Sequence, residues 1–137
     1  MRVFDVFDIT NKGIGNPDKV TESEWPIFVV SYLESIADME GWDHFFTYSM
    51  QWYDSLCAAL EMIEDSKSLK IIENYVQHFG ELGIHFDAKS IDSFLESATD
   101  EYIETCRDWR EEFSTASEKR WELLAEFYRK RNIKLIT

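Results

Sequence analysis

The sequence contains few of the residues that interrupt helices. All five glycines and both prolines lie between Gly13 and Gly83, so the C-terminal part of the chain has neither. Helices in that part must be delimited by Ser, Thr and Asp caps. This composition favours an all-helical fold.

Cysteine is also scarce, with only Cys57 and Cys106 in the chain. Both fall where the apolar spacing predicts the inner faces of helices, and a reduced thiol behaves there as a small core residue. We therefore expect no structural disulfide. Two cysteines do not make a metal site.

Long hydrophobic runs are missing. The longest apolar stretch, around Ile27 to Val30, is far too short to span a bilayer. Near the N-terminus Asp5 and Asp8 interrupt the apolar residues, unlike the core of a secretory signal. We expect a cytoplasmic protein.

Basic residues are outnumbered. Twenty-seven Asp and Glu face fourteen Lys and Arg, which leaves a formal charge of −13. Phosphates would be repelled, so the charge argues against direct nucleic-acid binding and against anionic membranes. It suits a basic partner, such as a DNA-binding protein or a cationic toxin. The alternative is that the acidity only maintains solubility.

What is present suffices for one folded domain. Hydrophobic residues make up 45% of the chain and aromatic residues 15%, enough apolar area to offset the entropy of the chain. A chain of 137 residues encloses one hydrophobic core rather than two. We predict a single acidic helical domain over residues 1–137.

Apolar residues recur every three or four positions, which predicts a compact all-α bundle of about six to seven helices. The first begins near 21–23, where Thr21 and Glu24 have capping-box spacing, and is interrupted at Gly41. A short helix or tight turn in the core is predicted for the aromatic patch Trp42, Phe45, Phe46 and Tyr48.

Further helices are predicted from the apolar series at 53–63, 69–79, 91–98, 102–113 and 121–128. Asp87 or Ser90 caps the third of these series, and Thr99 opens the fourth. Residues 11–18 collect turn-forming types and predict a loop. The ends, 2–10 and 133–137, have enough β-branched and aromatic residues to form short strands.

The sequence offers little catalytic chemistry. It has no Gly-rich phosphate loop, nucleophile elbow or Glu-x-x-His pair. Glu40 and His44, like Glu81 and His85, are four residues apart, but a glycine interrupts each turn. We interpret these histidines and His78 as structural and expect no catalytic residue, metal or cofactor.

Acidic residues recur at a step of four in two segments near the C-terminus. On helices they would lie opposite the apolar faces and be exposed together. Like charges at this spacing are destabilising by about 0.2 to 0.5 kcal/mol per pair. The candidate partner-binding residues are Asp100, Glu104, Asp108 and Glu112 in the first row, and Glu118, Glu122 and Glu126 in the second.

Such rows have a chemical use. Four helical residues advance about 6 Å, comparable to the separation of phosphates along a nucleic-acid strand, so the rows can imitate a phosphate backbone. The alternative is a plain solvated face. If the carboxylates instead pair with Arg107, Arg110 and Arg120, the acidity reduces to a solubility feature.

A sequence pattern lies between about Val29 and Glu81. It comprises a helix that ends in Asn-Gly-Gly-aromatic, then one variable residue, Gln or His, and two aromatics, followed by a helix with Ala-Leu and a downstream Ile. The matching residues are Gly41, Trp42, His44, Phe45, Phe46, Ala59, Leu60 and Ile63. Met39 and Glu40 replace the Asn and first Gly of the pattern.

This segment resembles a family of small, acidic, all-helical bacterial domains named after a DNA-mimic protein. The resemblance implies an α-helical fold, a homodimer and, for the founding member, a role in occupying the DNA-binding surface of a transcription factor. The matched residues are architectural, so no binding residue transfers by motif.

The leading hypothesis is a non-enzymatic binding protein that engages a basic DNA-binding protein or transcription factor as a DNA mimic. One alternative is an immunity or antitoxin protein that neutralises a cationic nuclease through the same surface. Another is a small-molecule enzyme with a pocket near His44, Trp42 and His78.

Overall fold

The computed structural model describes residues 2–39 and 41–136, without the side chains of Met39 and Trp42. The inferences drawn above from Glu40 and from the Trp42 side chain lie outside this description. In chain order the elements are β1 Arg2–Asp5, α1 Val6–Gly15, α2 Trp25–Met39, α3 Phe45–Ser49, α4 Tyr53–Met62, α5 Ser66–Glu81, α6 Ala88–Glu96, α7 Asp100–Thr115, α8 Ser117–Arg129 and β2 Ile133–Ile136. Short 3₁₀ turns cover Pro17–Lys19, Trp42–His44 and Met50–Trp52.

The predicted all-α bundle with short terminal strands is confirmed. Seven of the described α-helices have nine residues or more, and α3 has five. α2 forms much of the core and contacts α1, α4 and α8. It is apolar on most sides, as expected of a central helix, and Ile27, Phe28, Val29, Val30 and Leu33 are fully buried.

The two ends of the chain meet in a parallel two-stranded sheet. Its register pairs Arg2 with Ile133 and Asp5 with Ile136. Phe4 packs edge-on against Tyr128, with ring centroids 6.0 Å apart, so the inner face of the sheet covers α8. None of the helices in residues 2–39 and 41–136 is long and apolar enough to cross a membrane.

The N-terminal region differs from the prediction. Residues 6–10 were predicted as strand and 11–18 as loop, but α1 runs from Val6 to Gly15. Asp5 starts this helix, since its carboxylate accepts the N–H of Asp8 at 3.2 Å. Gly13 is not a turn residue here. Its missing side chain admits Phe28, whose Cδ1 lies 2.3 Å from the position of a Cβ at residue 13.

The start of α2 also differs. The helix begins at Trp25 rather than at 21–23. The capping contact nevertheless forms, because the Thr21 N–H donates to Glu24 Oε1 at 2.9 Å. The other carboxylate contact of Glu24 comes from Lys12 on α1, which ties α1 to the beginning of α2.

The aromatic patch is only partly in the core. Phe45 and Phe46 are fully buried, as predicted, but Tyr48 is 55% exposed. Tyr48 lies on the outer side of the short helix α3, where its ring stacks on His44.

The predicted caps of α6 and α7 are confirmed: Asp87 accepts the N–H of Ser90, and Thr99 accepts that of Tyr102. Both cysteines are free, and Cys106 is buried.

Candidate partner-binding surface

The two sides of α7 have different surroundings. Thr99 Oγ1 accepts the Tyr102 N–H at 3.2 Å and begins the helix. Tyr102, Cys106 and Phe113 are buried in the core. The opposite side carries the predicted row, and all four of its residues are exposed: Asp100, Glu104, Asp108 and Glu112.

The two arginines of α7 decide how much of its acidity is neutralised. The helix has six acidic and two basic residues. Arg107 pairs with Glu104 one turn away, and both side chains are exposed. Arg110 pairs instead with the buried Asp43: its side chain is 45% exposed, but its Nη2 lies 2.8 Å from Asp43 Oδ2. Within the described part of the chain, no ion pair is formed by Asp100, Asp108 and Glu112.

Asp43 holds α7 against the turn that follows α2. Its side chain is fully buried, and Oδ2 accepts hydrogen bonds from Arg110 and from the Tyr102 hydroxyl, the latter at 3.0 Å. Burial, and then the negative charge of Asp43, raises the pKa of Tyr102, so its hydroxyl stays protonated and keeps donating. Burial likewise raises the pKa of Cys106 to about 11. At neutral pH the Tyr102 hydroxyl and the Cys106 thiol on the inner side of α7 are therefore protonated.

Arg120 on α8, unlike Arg110, is withdrawn from the surface. Its side chain is 1% exposed, and Nε donates to Glu34 Oε1 at 2.6 Å. Its Nη1 donates to Ser68 Oγ at 3.1 Å, and its guanidinium lies over the Phe113 ring, 3.9 Å from the centroid. A buried arginine needs such a full set of partners. Arg120 thus joins α8 to α2 and α5, and neutralises none of the predicted rows.

The second row, on α8, is more balanced than the first. Glu118 and Glu122 are exposed, and Glu126 is partly exposed. Lys119 Nζ lies 3.9 Å from Glu122 Oε2, and Arg129 donates to the two carboxylate oxygens of Glu126 from Nε and Nη2. The hydrogen bonds from Arg129 lower the pKa of Glu126. α8 has as many basic as acidic residues, so its net charge is near zero.

The structure thus separates the seven candidate residues into two groups. The first four lie along one continuous helix of 16 residues, over a length of about 18 Å. The other three lie on α8, which follows α7 after Ala116. The acidic excess therefore lies in the α7 row. Arg110 and Arg120 do not neutralise this row, because they bind the carboxylates of Asp43 and Glu34 instead.

The sequence reasoning missed these buried ion pairs. Asp43 and Arg110 are 67 positions apart, and Glu34 and Arg120 are 86 apart, so no local spacing relates them. One signal was available. A single acidic residue inside an aromatic patch, as at Asp43, is expected to be buried and therefore to need a cationic partner.

The histidines do not gather into a site. His78 stacks on Tyr102 with ring centroids 6.0 Å apart, and His85 is exposed. Among the described residues, no group of three His, Cys, Asp or Glu side chains is placed to hold a metal ion. Two cavities, of about 360 and 460 Å³, open on the surface, and neither is lined by a histidine. The first adjoins Glu34, Arg110 and Arg120, and the second adjoins β2.

These features define a class of protein: a small all-α bundle with a predominantly acidic helix face, held in place by ion pairs to buried Asp43 and from buried Arg120. Residues 18–131 match the family model described as DMP19-like protein, in which DMP19 stands for DNA mimic protein 19. The chain belongs to this family, which confirms the resemblance seen in the sequence. Comparisons with curated proteins and with solved structures give no significant match.

Proposed function

We propose that this protein is a non-enzymatic DNA mimic that occupies the nucleic-acid-binding surface of a basic DNA-binding protein or transcription factor. The α7 row is the main contact, formed by Asp100, Glu104, Asp108 and Glu112. The α8 residues Glu118, Glu122 and Glu126 extend this surface.

The observation that carries the proposal is the incomplete neutralisation of α7. Three of the four carboxylates in its row have no ion pair in the described part of the chain, although two arginines lie on the same helix. An exposed row of like charges destabilises a helix, which is consistent with a use other than stability. The carboxylates of the row are about 6 Å apart, which is close to the spacing of phosphates along DNA. A Lys and Arg surface that binds DNA would therefore meet negative charges at a similar spacing.

Membership of the DMP19-like family supports the same interpretation, because the family name refers to DNA mimicry. The rows are unequal in this proposal. α8 has Lys119 and Arg129 beside its carboxylates, so we expect it to contribute less binding energy than α7. The α7 face would bind the basic partner in the same way whether the protein is a monomer or a homodimer.

The test compares two variants of equal charge. In the first, the α7 row is neutralised with Asp100→Asn, Glu104→Gln, Asp108→Asn and Glu112→Gln. In the control, four exposed carboxylates on other helices are neutralised: Asp54→Asn, Glu61→Gln, Glu73→Gln and Glu96→Gln. Basic partners are captured from lysate on each protein and eluted with increasing salt.

We expect the wild type and the control to retain a DNA-binding protein that salt or duplex DNA releases, and the α7 variant to lose it. The logarithm of the association constant should fall linearly with the logarithm of the salt concentration, as for DNA itself. Equal retention by both variants, or a partner that DNA does not displace, would contradict the proposal.

A further inference from the structure

Positive charge is concentrated near the C-terminus of the sequence. Residues 129–134 contain four basic residues and no acidic one, in a chain that is otherwise strongly acidic. Arg129 is paired with Glu126. Lys130 and Lys134 are exposed and form no ion pair within the described residues. This positive surface lies at β2 and the end of α8.

A cavity opens at the same place. It has a volume of about 460 Å³ and adjoins Ile133, the first residue of β2. Met62 in its lining is 50% exposed, and the Arg131 guanidinium lies over the Phe127 ring, 3.6 Å from the centroid. The lining is mixed: Thr21, Glu22 and Ser23 on the side of α2 are polar, as is Arg131, and the remaining residues are apolar or aromatic. An aliphatic side chain would fit against the apolar part of this lining.

The backbone of β2 is paired on one side only. β1 is its sole partner in the sheet, and within the described residues no other backbone hydrogen bond reaches 133–136. Lone two-stranded sheets are marginally stable, and a free strand edge is a template for another extended segment. Pairing of main chains gives affinity in such contacts, and side-chain pockets give specificity.

We propose that β2 and this cavity form a second docking surface, which binds an extended acidic segment of another protein by strand addition. The segment pairs with the free edge of β2, places an aliphatic side chain in the cavity, and sets its carboxylates beside Lys130 and Lys134. The proposal does not depend on the α7 row, whose partner has the opposite charge.

Charge also decides against a second copy of this chain as the occupant. Two β2 strands paired around a twofold axis would bring the basic residues of one copy against those of the other. Lys134 on the strand therefore discourages self-pairing and attracts an acidic partner.

The probe is a fluorescein-labelled peptide, Glu-Val-Glu-Val-Glu-Val-Glu, titrated by fluorescence anisotropy into the full-length protein. Lys130→Glu with Lys134→Glu should weaken binding about tenfold or more. The matched control, Lys70→Glu with Lys89→Glu, changes the net charge equally at exposed positions on α5 and α6, outside the cavity lining and β2, and should leave binding intact. Glu22→Gln should strengthen binding, because Glu22 is a carboxylate in the cavity lining.

Two further probes separate strand addition from general charge attraction. A peptide N-methylated at every residue should not bind, because neither of its edges can then donate backbone hydrogen bonds to the strand. An unlabelled Lys-Val peptide should not displace the labelled acidic peptide, because its charge directs it to the acidic α7 row instead. The proposal is overturned if the acidic peptide does not bind, if the N-methylated peptide binds equally, or if both charge variants lose affinity alike. Sedimentation that shows a dimer dissociated by the peptide would identify a second copy as the occupant and would also overturn it.

Discussion

At the scale of single residues, buried charges organise this protein. Asp43 and Arg120 are almost completely buried, and each has a partner of opposite charge from a distant part of the chain. A buried charge is tolerated only with such partners, so these contacts select one arrangement of the helices. They also direct Arg110 and Arg120 to Asp43 and Glu34, so that Asp100, Asp108 and Glu112 on α7 form no ion pair among the described residues.

Arg120→Met should destabilise the protein strongly. The substitution leaves the carboxylate of Glu34 poorly solvated and without its arginine, so we expect a loss of about 3 to 5 kcal/mol in the free energy of unfolding, measured with urea. Arg107→Met, which removes an exposed pair on α7, should change it by about 0.5 kcal/mol or less. Equal effects of the two substitutions would contradict the assigned role of Arg120.

The Lys12 to Glu24 pair gives a prediction for pH. Partial burial acts to raise the pKa of Glu24, but hydrogen bonds from Lys12 and Thr21 outweigh it and hold the pKa below the ordinary value of 4.5. A lowered pKa in the folded state contributes stability above pH 4.5 that is lost as the pH falls through the folded value.

Lys12→Met should therefore reduce stability at pH 7 by about 1 kcal/mol, and the difference from wild type should shrink below pH 4.5. Urea unfolding across this pH range measures it. Lys19→Met is the control, since Lys19 is exposed and has no ion pair among the described residues. A difference that persists unchanged at low pH would argue against the pair.

At the scale of elements, α1 shows how a local pattern misleads. Its two glycines and one asparagine are typical of a loop, yet Val6, Ile9 and Gly13 are buried against the rest of the protein. The close approach of Phe28 to Gly13 replaces the side-chain packing that the segment lacks. Packing between α1 and α2 therefore outweighs the low helix propensity of this segment.

Two glycine substitutions test this account. Gly13→Ala places a Cβ 2.3 Å from Phe28 Cδ1 and should destabilise the protein by about 1 to 3 kcal/mol. Gly80→Ala, in α5 with no neighbouring atom within 4 Å, should stabilise it by about 0.5 to 1 kcal/mol. Thermal unfolding of both variants gives the comparison. A gain in stability from Gly13→Ala would show that the two helices are not closely packed.

At the scale of the whole molecule, charge is distributed unevenly. Residues 20–66 contain no Lys or Arg, and α7 carries an acidic excess, whereas residues 129–134 are basic. Acidic regions repel one another within the folded domain. This uneven distribution is the basis of both proposals. In the first, the acidic α7 row binds a basic partner, and in the second, the basic residues at the end of α8 and on β2 bind an acidic one.

Self-repulsion predicts that sodium chloride stabilises the fold. The melting temperature should rise from low to moderate salt, because screening reduces repulsion between exposed carboxylates. The α7 variant with four neutralised residues should begin at a higher melting temperature and rise less, since it loses like-charge pairs four residues apart. A melting temperature that falls with salt would show that attractive pairs dominate.

The sequence by itself determined the helical class, most helix positions, several caps and the acidic excess. These properties depend on composition and on spacings of three or four residues, which act within one element. Asp87 and Thr99 are examples, because each caps a helix that begins at the next residue.

Only the tertiary structure decided which charges remain uncompensated. Arg110 and Arg120 were equally able, by spacing, to neutralise the acidic rows. Their pairing with Asp43 and Glu34 depends on contacts 67 and 86 positions apart. The pairing of β1 with β2, which creates the free edge beside the basic residues, likewise joins the two ends of the chain. Such contacts follow from how the helices pack, because a buried charge selects its partner in space rather than along the sequence.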